Sequence, residues 1–377
     1  MLMLIVAAIL AIFVYGMIAA MLGTILPDLS KRFSLSPKQN GNIAMTQAIG
    51  LMIGSFFAGP LMDMQGVKAG LLLGLALIAV ALLGLKTAKG YGMIAALMLL
   101  LGIGGGALVN GANGLPPVIA IAAISTAGVF NILNLFFGLG GLVTPLVAAR
   151  LFQNNSSKLL VFAATITAGT LAISTITAGM PGPKGAVSFQ GAAVGDLISQ
   201  PALLLLALVL FLYVACEVGV WNWLVRYLMA QGVTEGKALT ILSLGFALGL
   251  LVGRVAVSPI LSDVTPERVL LGSAVLMAIT TYAMLQSASP KMAQGLVFLA
   301  GIAMAPVFPT TLAIVNARFA AMAATATGIA LTAGWFGLVV SSPIIGGIAG
   351  NDPKGLKKAL LLLPVASVIM AVVILAL

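Results

Sequence analysis

Long apolar runs, separated by short charged or Pro/Gly-containing segments, dominate the pattern of this 377-residue chain. The runs are continuous rather than alternating, and about 20 apolar residues suffice to span a bilayer as an α-helix. The pattern therefore predicts an all-α integral membrane protein, whose first run is a retained helix rather than a cleaved signal. Twelve transmembrane helices are predicted, at residues 4–26, 40–62, 68–86, 91–115, 125–149, 158–179, 202–229, 236–261, 267–287, 291–315, 320–348 and 356–376.

Composition excludes a water-soluble protein, because 61% of the residues are hydrophobic and only 7% are charged, against about a quarter charged in soluble domains. The chain has no histidine and one cysteine, Cys216, so we expect no intrachain disulfide, no metal site and no cofactor. We also expect no enzyme activity, since acid–base work would fall to a few carboxylates. The net charge of +10 comes from short loops, which favours contact with lipid headgroups over nucleic acid.

The chain divides into two halves that resemble each other. The longest interior gap, Pro181–Pro201, predicts an N-terminal six-helix bundle at 1–179, an interdomain loop at 180–201 and a C-terminal six-helix bundle at 202–377. The segment GSFFAGPLMDMQGVKAGLLLG follows the second helix and GRVAVSPILSDVTPERVLLG follows the eighth. Asp63 precedes Lys68 by five residues, as Asp263 precedes Arg268. Such a parallel repeat of two pseudo-symmetric bundles is typical of a secondary transporter.

The loop GPLMDMQGVK resembles the G-x-x-x-D-R-x-G-R-K loop motif of the major facilitator superfamily, although Met64 replaces a basic residue. Four further segments, WNWLVRYL, GR…TPERVLL, LNLFFGLGGLVTPL and FPTTL, are together similar to its fucose–galactose–glucose symporter branch. The resemblance implies alternating access across the cell (inner) membrane, a mid-depth substrate site between the bundles, and cytoplasmic termini. Most Lys and Arg residues would then lie in outer loops, whereas the positive-inside tendency favours the opposite orientation.

The chain departs from that branch at the acidic positions that the resemblance links to proton coupling. Gly23 and Val109 stand where the fucose:proton symporter has an aspartate and a glutamate, and Glu217 stands where it has a glutamine. Three coupling modes therefore stay open. They are proton symport through Glu217, sodium symport and facilitated uniport.

Glu217 lies about midway along its helix, where a charge facing lipid costs several kcal/mol. We therefore expect it to face a water-filled cavity, where it accepts hydrogen bonds from a ligand, carries a proton, or pairs with a polar group of a neighbouring helix. Trp221 follows one turn later on the same face, and an indole beside a carboxylate suits a sugar ring. Asn222 is a further substrate-binding candidate, although a regular helix points it elsewhere.

Neutral amides inside the predicted helices add hydrogen-bonding groups that both donate and accept, as a polyol requires. Each of these amides could equally hold helices together. Thr310 and Thr332 are weaker candidates. The remaining substrate-binding candidates are Gln47, Asn110, Asn113, Asn131, Asn134, Tyr15 and Trp335.

Charged residues expected at helix ends are candidates for a gate that holds the halves together on one side. The alternative is ordinary solvation of loops. The gating candidates are Asp63, Lys68, Arg254, Asp263 and Arg268.

These features predict a monomeric transporter of a small neutral sugar or related polyol, with the lipid bilayer, and a proton or sodium ion in the coupled modes, as its other partners. An exporter of cationic or amphipathic drugs is the alternative, because a lone membrane carboxylate among aromatic rings also suits a cation. A receptor or channel is a third class, but a channel would show polar stripes along whole helices.

Overall fold

The apolar runs fold into helices where the sequence predicts them. The computed structural model describes residues 1–153, 155–183, 191–287, 290–350 and 353–377. Within these residues twelve helices are long and apolar enough to cross a membrane. They are α1 (Leu2–Phe33), α2 (Lys38–Gln65), α3 (Val67–Lys86), α4 (Tyr91–Val118), α5 (Thr126–Arg150), α6 (Ser156–Ile176), α7 (Pro201–Ala230), α8 (Glu235–Asp263), α9 (Pro266–Gln286), α10 (Met292–Arg318), α11 (Ala320–Ala349) and α12 (Gly355–Leu375).

Several of these helices change geometry along their length. A π-helical segment, Leu242–Ala247, interrupts α8, and α10 breaks between Met304 and Val307. A short helix, Gly191–Ile198, precedes α7 within the predicted interdomain loop. Residues 184–190 of that loop lie outside the described residues.

Local chemistry fixes where the helices begin. Ser36 caps α2 in a reciprocal capping box with Gln39, and the Asn155 side chain accepts a hydrogen bond from the Lys158 N–H at the start of α6. Pro201 and Pro266 occupy first positions, where the missing N–H of proline has no helical partner to lose. The observed helix starts lie within two residues of the predicted ones, whereas α1 ends at Phe33, seven residues beyond its predicted end.

The helices group into two units, and the residues of three helices, α5, α10 and α11, are divided between them. The N-terminal unit comprises Met1–Ala120, Leu133–Ile198 and Asn316–Thr332. The C-terminal unit comprises Ile121–Ile132, Ser199–Val315 and Ala333–Leu377. The first turns of α5 therefore belong with the second half of the chain, and the first turns of α11 belong with the first half. The main crossover between units, after Ile198, falls inside the predicted loop at 180–201.

Glycines bring α2 and α4 of the N-terminal unit into backbone contact. A Cβ atom on Gly50 would lie 2.3 Å from the Leu99 carbonyl oxygen, and one on Gly102 would lie 2.2 Å from that of Gln47. No side chain larger than hydrogen fits there without moving the backbone. Close approach through glycine is a main means of helix association in lipid.

The C-terminal unit repeats this contact between α8 and α10. A Cβ on Gly249 would lie 2.3 Å from the Phe298 carbonyl oxygen, and one on Gly301 would lie 2.4 Å from that of Phe246. All four residues stand 199 positions after their counterparts in the N-terminal unit. The structure thus contains the internal repeat that the sequence predicts.

This 199-residue register corrects one detail of the predicted repeat. In this register, Ser262 and not Asp263 corresponds to Asp63, and Arg254 corresponds to Ser55. The pairing of Asp63 with Asp263 is therefore one residue out of register, because the helices, rather than the loops between them, carry the repeat.

Candidate functional site

A buried cluster of polar groups lies on α7 and α8 of the C-terminal unit. Tyr213 is fully buried one helical turn before Glu217, so the two side chains share a face of α7. The Tyr213 hydroxyl interacts electrostatically with both the Glu217 carboxylate and the Arg254 guanidinium. Within the described residues, no group meets hydrogen-bond geometry with that hydroxyl. Glu217 is partly exposed, whereas Tyr213 and Arg254 are buried.

Arg254 lies elsewhere than predicted. We expected it at a helix end, but it lies inside Leu248–Asp263 and only 3% of its surface is exposed. Its guanidinium acts on Tyr213 of the neighbouring helix. The segment GR…TPERVLL suggests a position next to the loop. Arg254 precedes that loop by more than two helical turns, however, and therefore lies within the helix.

Aromatic rings extend from Tyr213 through the same unit. The Tyr213 and Phe308 ring centroids are 6.4 Å apart, and those of Phe308 and Trp335 are 6.3 Å apart, both in tilted arrangements. Trp335, predicted as a site residue, is therefore buried in this row of rings next to the polar cluster. Such rings offer apolar faces on which the C–H groups of a sugar can stack.

Trp221 lies one turn beyond Glu217 and remains 39% exposed. Its ring packs edge-on against Phe246, with centroids 5.3 Å apart, in the π-helical segment of α8. The Trp221 ring is thus held on one side by Phe246 while part of it stays exposed. Asn222 points elsewhere, as expected, since its side chain donates a hydrogen bond of 2.8 Å to the Ser342 hydroxyl on α11.

Asn131 supplies the C-terminal unit with a hydrogen-bond acceptor. Its side-chain N–H group donates to the Ala127 carbonyl oxygen at 3.0 Å and to the Thr310 hydroxyl at 3.1 Å. These bonds fix the amide, which is fully buried, and no described group donates to its oxygen. An oriented acceptor of this kind suits a ligand hydroxyl.

The other predicted amides lie in the N-terminal unit and mainly hold helices together. The Gln47 side chain donates to the Ile18 carbonyl oxygen at 3.5 Å, and the Asn113 side chain donates to that of Val109 at 2.8 Å. The Asn134 side chain in turn donates to the Asn113 oxygen at 3.1 Å. This Asn113–Asn134 pair joins α4 to α5.

Asn110 and Tyr15 complete the predicted residues of the N-terminal unit. The Asn110 side chain donates to the carbonyl oxygens of both Ser55 and Ala324, at 3.1 Å each, which joins α4 to α2 and to the start of α11. The Tyr15 ring stacks on Phe137 with centroids 5.2 Å apart. Asn110 thus links three helices, and because no described group donates to its side-chain oxygen, it stays a candidate ligand contact like Asn131.

The gating candidates fall into two groups. Asp63 accepts hydrogen bonds from the Ala324 N–H at 3.2 Å, from the Thr325 N–H at 2.8 Å and from the Thr325 hydroxyl at 2.6 Å. Lys68 donates to the carbonyl oxygens of Thr175 at 2.6 Å and Thr177 at 3.0 Å, at the end of α6. Both contacts pair a charge with the helix end of opposite polarity.

Asp263 and Arg268 differ from the first two. Both side chains are exposed, and none of the hydrogen bonds among described residues involves their side chains. Their neighbour Ser262 instead accepts a hydrogen bond of 3.2 Å from the Ser125 N–H, directly before α5. Ser262 therefore holds the start of α5, as Asp63 holds the start of α11.

A metal site finds no support in the part of the chain that the structure describes, since no three acidic or Cys side chains cluster there. The cluster of Tyr213, Glu217 and Arg254 offers a hydroxyl, a carboxylate and a guanidinium group. The residues that this site adds to the predicted ones are Tyr213 and Phe308.

Comparison with known proteins agrees with this architecture. Residues 8–267 match the sequence profile of the Major Facilitator Superfamily. The chain belongs to this superfamily. Among curated protein sequences, none matches the chain.

Solved transporters of the superfamily share the fold across almost the whole chain. The outward-conformation structure of the transporter FucP has a TM-score of 0.84 at 18% identity, covering 98% of this chain and 97% of FucP. The proton:xylose symporter XylE, bound to 6-bromo-6-deoxy-D-glucose, has a TM-score of 0.78 at 14% identity, covering 98% and 94%. The human organic anion transporter MFSD10 has a TM-score of 0.80 at 15% identity, covering 99% of each chain. The chain is therefore a multi-pass membrane transporter with the major facilitator fold.

Two signals in the sequence could have located Tyr213 and assigned Arg254 to this cluster rather than to the gate. Tyr213 precedes Glu217 by four residues, which places both on one helix face. Arg254 lies within an apolar run, and a charge in such a run is a functional candidate by itself. Phe308 carries no comparable signal, because an aromatic residue in an apolar helix is ordinary core material.

Proposed function

We propose that this member of the major facilitator superfamily transports a small neutral sugar or related polyol across the cell membrane by alternating access. The observation that carries the proposal is the arrangement around Glu217. Glu217, which is partly exposed, lies one turn before the exposed residue Trp221, within a unit that also contains the buried, oriented acceptor of Asn131. Carboxylate and amide groups bind hydroxyls, and the indole supports the apolar face of the ring.

The roles of the individual residues follow from their surroundings. Glu217 and Asn131 accept hydrogen bonds from sugar hydroxyls, and Trp221 stacks on the ring. Trp335 and Tyr15 line their units as aromatic supports. Asn113, Asn134 and Gln47 serve first as links between helices, because their N–H groups are already engaged.

Asp63 and Lys68 act as gating residues in this proposal, since each holds a helix end that a conformational change would have to release. Asp263 and Arg268 would join them only in another conformation. The termini lie in the cytoplasm, as the Asp63 loop favours, and the monomer is the working unit. Coupling to a proton through Glu217, coupling to sodium and uniport all remain compatible with the site.

An exporter of cationic or amphipathic drugs is the second candidate. The observation that favours it is that Glu217 lies one helical turn before Trp221, whose ring packs against Phe246, since cations bind aromatic faces. Arg254 opposes it, because its positive charge lies close to the same polar cluster.

Ligand binding separates the two candidates. The purified protein in detergent would be titrated with neutral hexoses, pentoses and polyols, and with a lipophilic cation, while thermal unfolding is followed. We expect stabilisation by at least one sugar, retained in part in Glu217→Gln because an amide still accepts hydrogen bonds. Stabilisation by the cation alone, abolished in Glu217→Gln, would establish the drug exporter instead.

A further inference from the structure

One additional residue distinguishes α8 from its counterpart α2. In α2, Gly50 follows the N-cap residue Ser36 by 14 positions. In α8, Gly249 follows the N-cap residue Thr234 by 15 positions. Because both glycines make the equivalent backbone contact with a neighbouring helix, the additional residue lies between the cap and the glycine. The π-helical segment Leu242–Ala247 lies in this interval.

The π-helical turn absorbs the additional residue. Directly after it, the Leu248 N–H donates to the Ser243 carbonyl oxygen, five residues earlier, whereas the bonds of an α-helix span four. The Ser243 hydroxyl donates to the Leu239 carbonyl oxygen at 2.8 Å, which adds a donor next to the widened turn. Single π-helical turns are rare and occur frequently at functional sites. The side chains that this turn presents to neighbouring helices are therefore candidates for a functional role.

Phe246 lies in this turn and packs against Trp221. It is fully buried, and its ring meets the indole edge-on, with the ring planes at 76°. The Phe246 backbone is itself fixed, because a Cβ on Gly301 would lie 2.4 Å from its carbonyl oxygen. A side chain that is 39% exposed, Trp221, therefore rests on a residue that α10 holds in place.

The register between α1 and α7 identifies the counterpart of Trp221 in the N-terminal unit. A Cβ on Gly140 would lie 2.2 Å from the Phe13 carbonyl oxygen, and one on Gly337 would lie 2.4 Å from that of Phe211. Phe13 of α1 and Phe211 of α7 thus occupy equivalent places, 198 positions apart. The N-cap residues of α2 and α8 are separated by the same number of positions. The register changes to 199 only after the π-helical turn.

Three differences between the two units coincide at the contact of Phe246 with Trp221. In the 198-residue register Trp221 corresponds to Gly23, where a Cβ would meet nothing within 4 Å. Phe246 corresponds to Gln47, which lies in an uninterrupted α-helix and donates to the Ile18 carbonyl oxygen. The unit without the indole thus has neither the phenylalanine nor the additional residue.

We infer that the additional residue of α8 and the Phe246 side chain position the Trp221 indole for the ligand. Phe246 is a positioning residue, because it touches the indole and acts through it. The inference rests on the proposed function, in which Trp221 stacks on a sugar ring. A stacking face that is already oriented loses less side-chain freedom when the ligand binds.

A double-mutant cycle on sugar binding tests the positioning role. Equilibrium binding of a labelled neutral hexose would be measured for wild type, Phe246→Ala, Trp221→Ala and the double variant. We expect Phe246→Ala to weaken binding at least about fivefold in wild type but less than about twofold in Trp221→Ala, because it acts through the indole. Phe162→Ala, which opens another edge-on pair with Phe152 at 5.7 Å, is the matched control and should bind as wild type does. Equal factors in both backgrounds would overturn the inference.

Deletion of Leu244 tests the role of the additional residue. Leu244 lies in the π-helical segment and is 57% exposed, and its removal gives α8 the spacing found in α2. We expect this variant to fold and to bind the hexose as weakly as Phe246→Ala does.

Deletion of Met45, which is 48% exposed in α2, is the matched control. Because α2 has no residue to spare, its first turns would rotate by about 100° relative to the rest of the helix. The midpoint of thermal unfolding should therefore fall further than in the Leu244 deletion. Wild-type affinity in the Leu244 deletion, or a loss of stability as large as that of the Met45 deletion, would contradict the inference.

A measurement without ligand separates this inference from the proposed function. The chain has three tryptophans, so Trp223→Phe together with Trp335→Phe leaves Trp221 as the single source of indole emission. In this background Phe246→Ala and the Leu244 deletion should both raise the quenching of Trp221 by acrylamide, because the ring loses its support. If wild type binds no hexose while quenching rises in this way, the neutral-sugar proposal fails and the positioning role stands.

Quenching that is the same with and without the Phe246 ring would overturn the inference even if sugar binding is found. If Phe246→Ala is not recovered folded, Phe246→Leu, which keeps apolar bulk without the ring, replaces it in both measurements with the same expected outcomes.

Discussion

The Asp63 carboxylate accepts hydrogen bonds from both the N–H group and the hydroxyl of Thr325, at 2.8 and 2.6 Å. The two residues are far apart in sequence, yet both belong to the N-terminal unit, where the end of α2 meets the start of α11. A carboxylate at a helix N-terminus is stabilised by the exposed N–H groups and by the helix dipole. If Asp63 has the proposed gating role, this contact changes during transport, and its strength should affect the transport rate.

Asp63→Asn tests that role. The substitution removes the charge but keeps the size, and we expect a loss of about 1–2 kcal/mol in the contact. The transport rate at saturating substrate should change by about tenfold, while substrate affinity changes little. Uptake and binding measured on the same preparation would show this, with Asp263→Asn as the matched control. An equal effect of both substitutions would contradict the one-residue shift in the repeat.

The glycine contact between α8 and α10 predicts a stability defect. In Gly249→Ala the new methyl group would lie 2.3 Å from the Phe298 carbonyl oxygen, so the two backbones have to separate. We expect a loss of about 1–3 kcal/mol, as for overpacking elsewhere, seen as a lower midpoint of thermal unfolding in detergent. Gly272→Ala is the control, because its Cβ would meet nothing within 4 Å. Similar midpoints for the two variants would rule out tight backbone packing at Gly249.

Trp221 and Asn131 carry the proposed sugar contacts. Replacing either by alanine should weaken sugar binding by about 1–3 kcal/mol, a change in Kd of about 5- to 150-fold, because a stacking face or a buried hydrogen bond is lost. Equilibrium binding would measure this. Tyr282→Ala removes an aromatic ring that is also exposed, at 54%, but lies on α9, and it should bind as wild type does. Unchanged affinity in both site variants would place the sugar elsewhere.

Membrane orientation is open to a simple chemical test. Cys216 is the single cysteine of the chain and is buried. Once it is replaced by alanine, a cysteine introduced at an exposed position is the only thiol that a labelling reagent can modify. We expect Met64→Cys, at the end of α2, to react with a membrane-impermeant thiol reagent only after the cells are opened. Lys89→Cys, between α3 and α4, should react in intact cells. The reverse pattern would place the termini outside, as the distribution of Lys and Arg suggests.

Sequence patterns determined the architecture almost completely, because lipid forces each spanning segment to be both long and apolar. The twelve predicted helices are confirmed, and the recurrence of Gly50 and Gly102 as Gly249 and Gly301 shows why the repeat was visible. The site was harder to predict, since contacts such as that of Tyr213 with Arg254 join residues on different helices. No local sequence pattern indicates that the first turns of α5 group with the C-terminal unit and those of α11 with the N-terminal unit.

The measurement that tests the central proposal most directly is uptake by purified protein in liposomes, over labelled hexoses, pentoses and polyols, with and without an inward proton gradient, for wild type and Glu217→Gln. The account predicts saturable uptake of at least one neutral sugar by wild type. Accumulation driven by the gradient and lost in Glu217→Gln would identify Glu217 as the coupling acid, whereas equilibrating uptake that persists in the variant would leave it a hydroxyl acceptor. Absence of uptake for every neutral sugar and polyol would contradict the account.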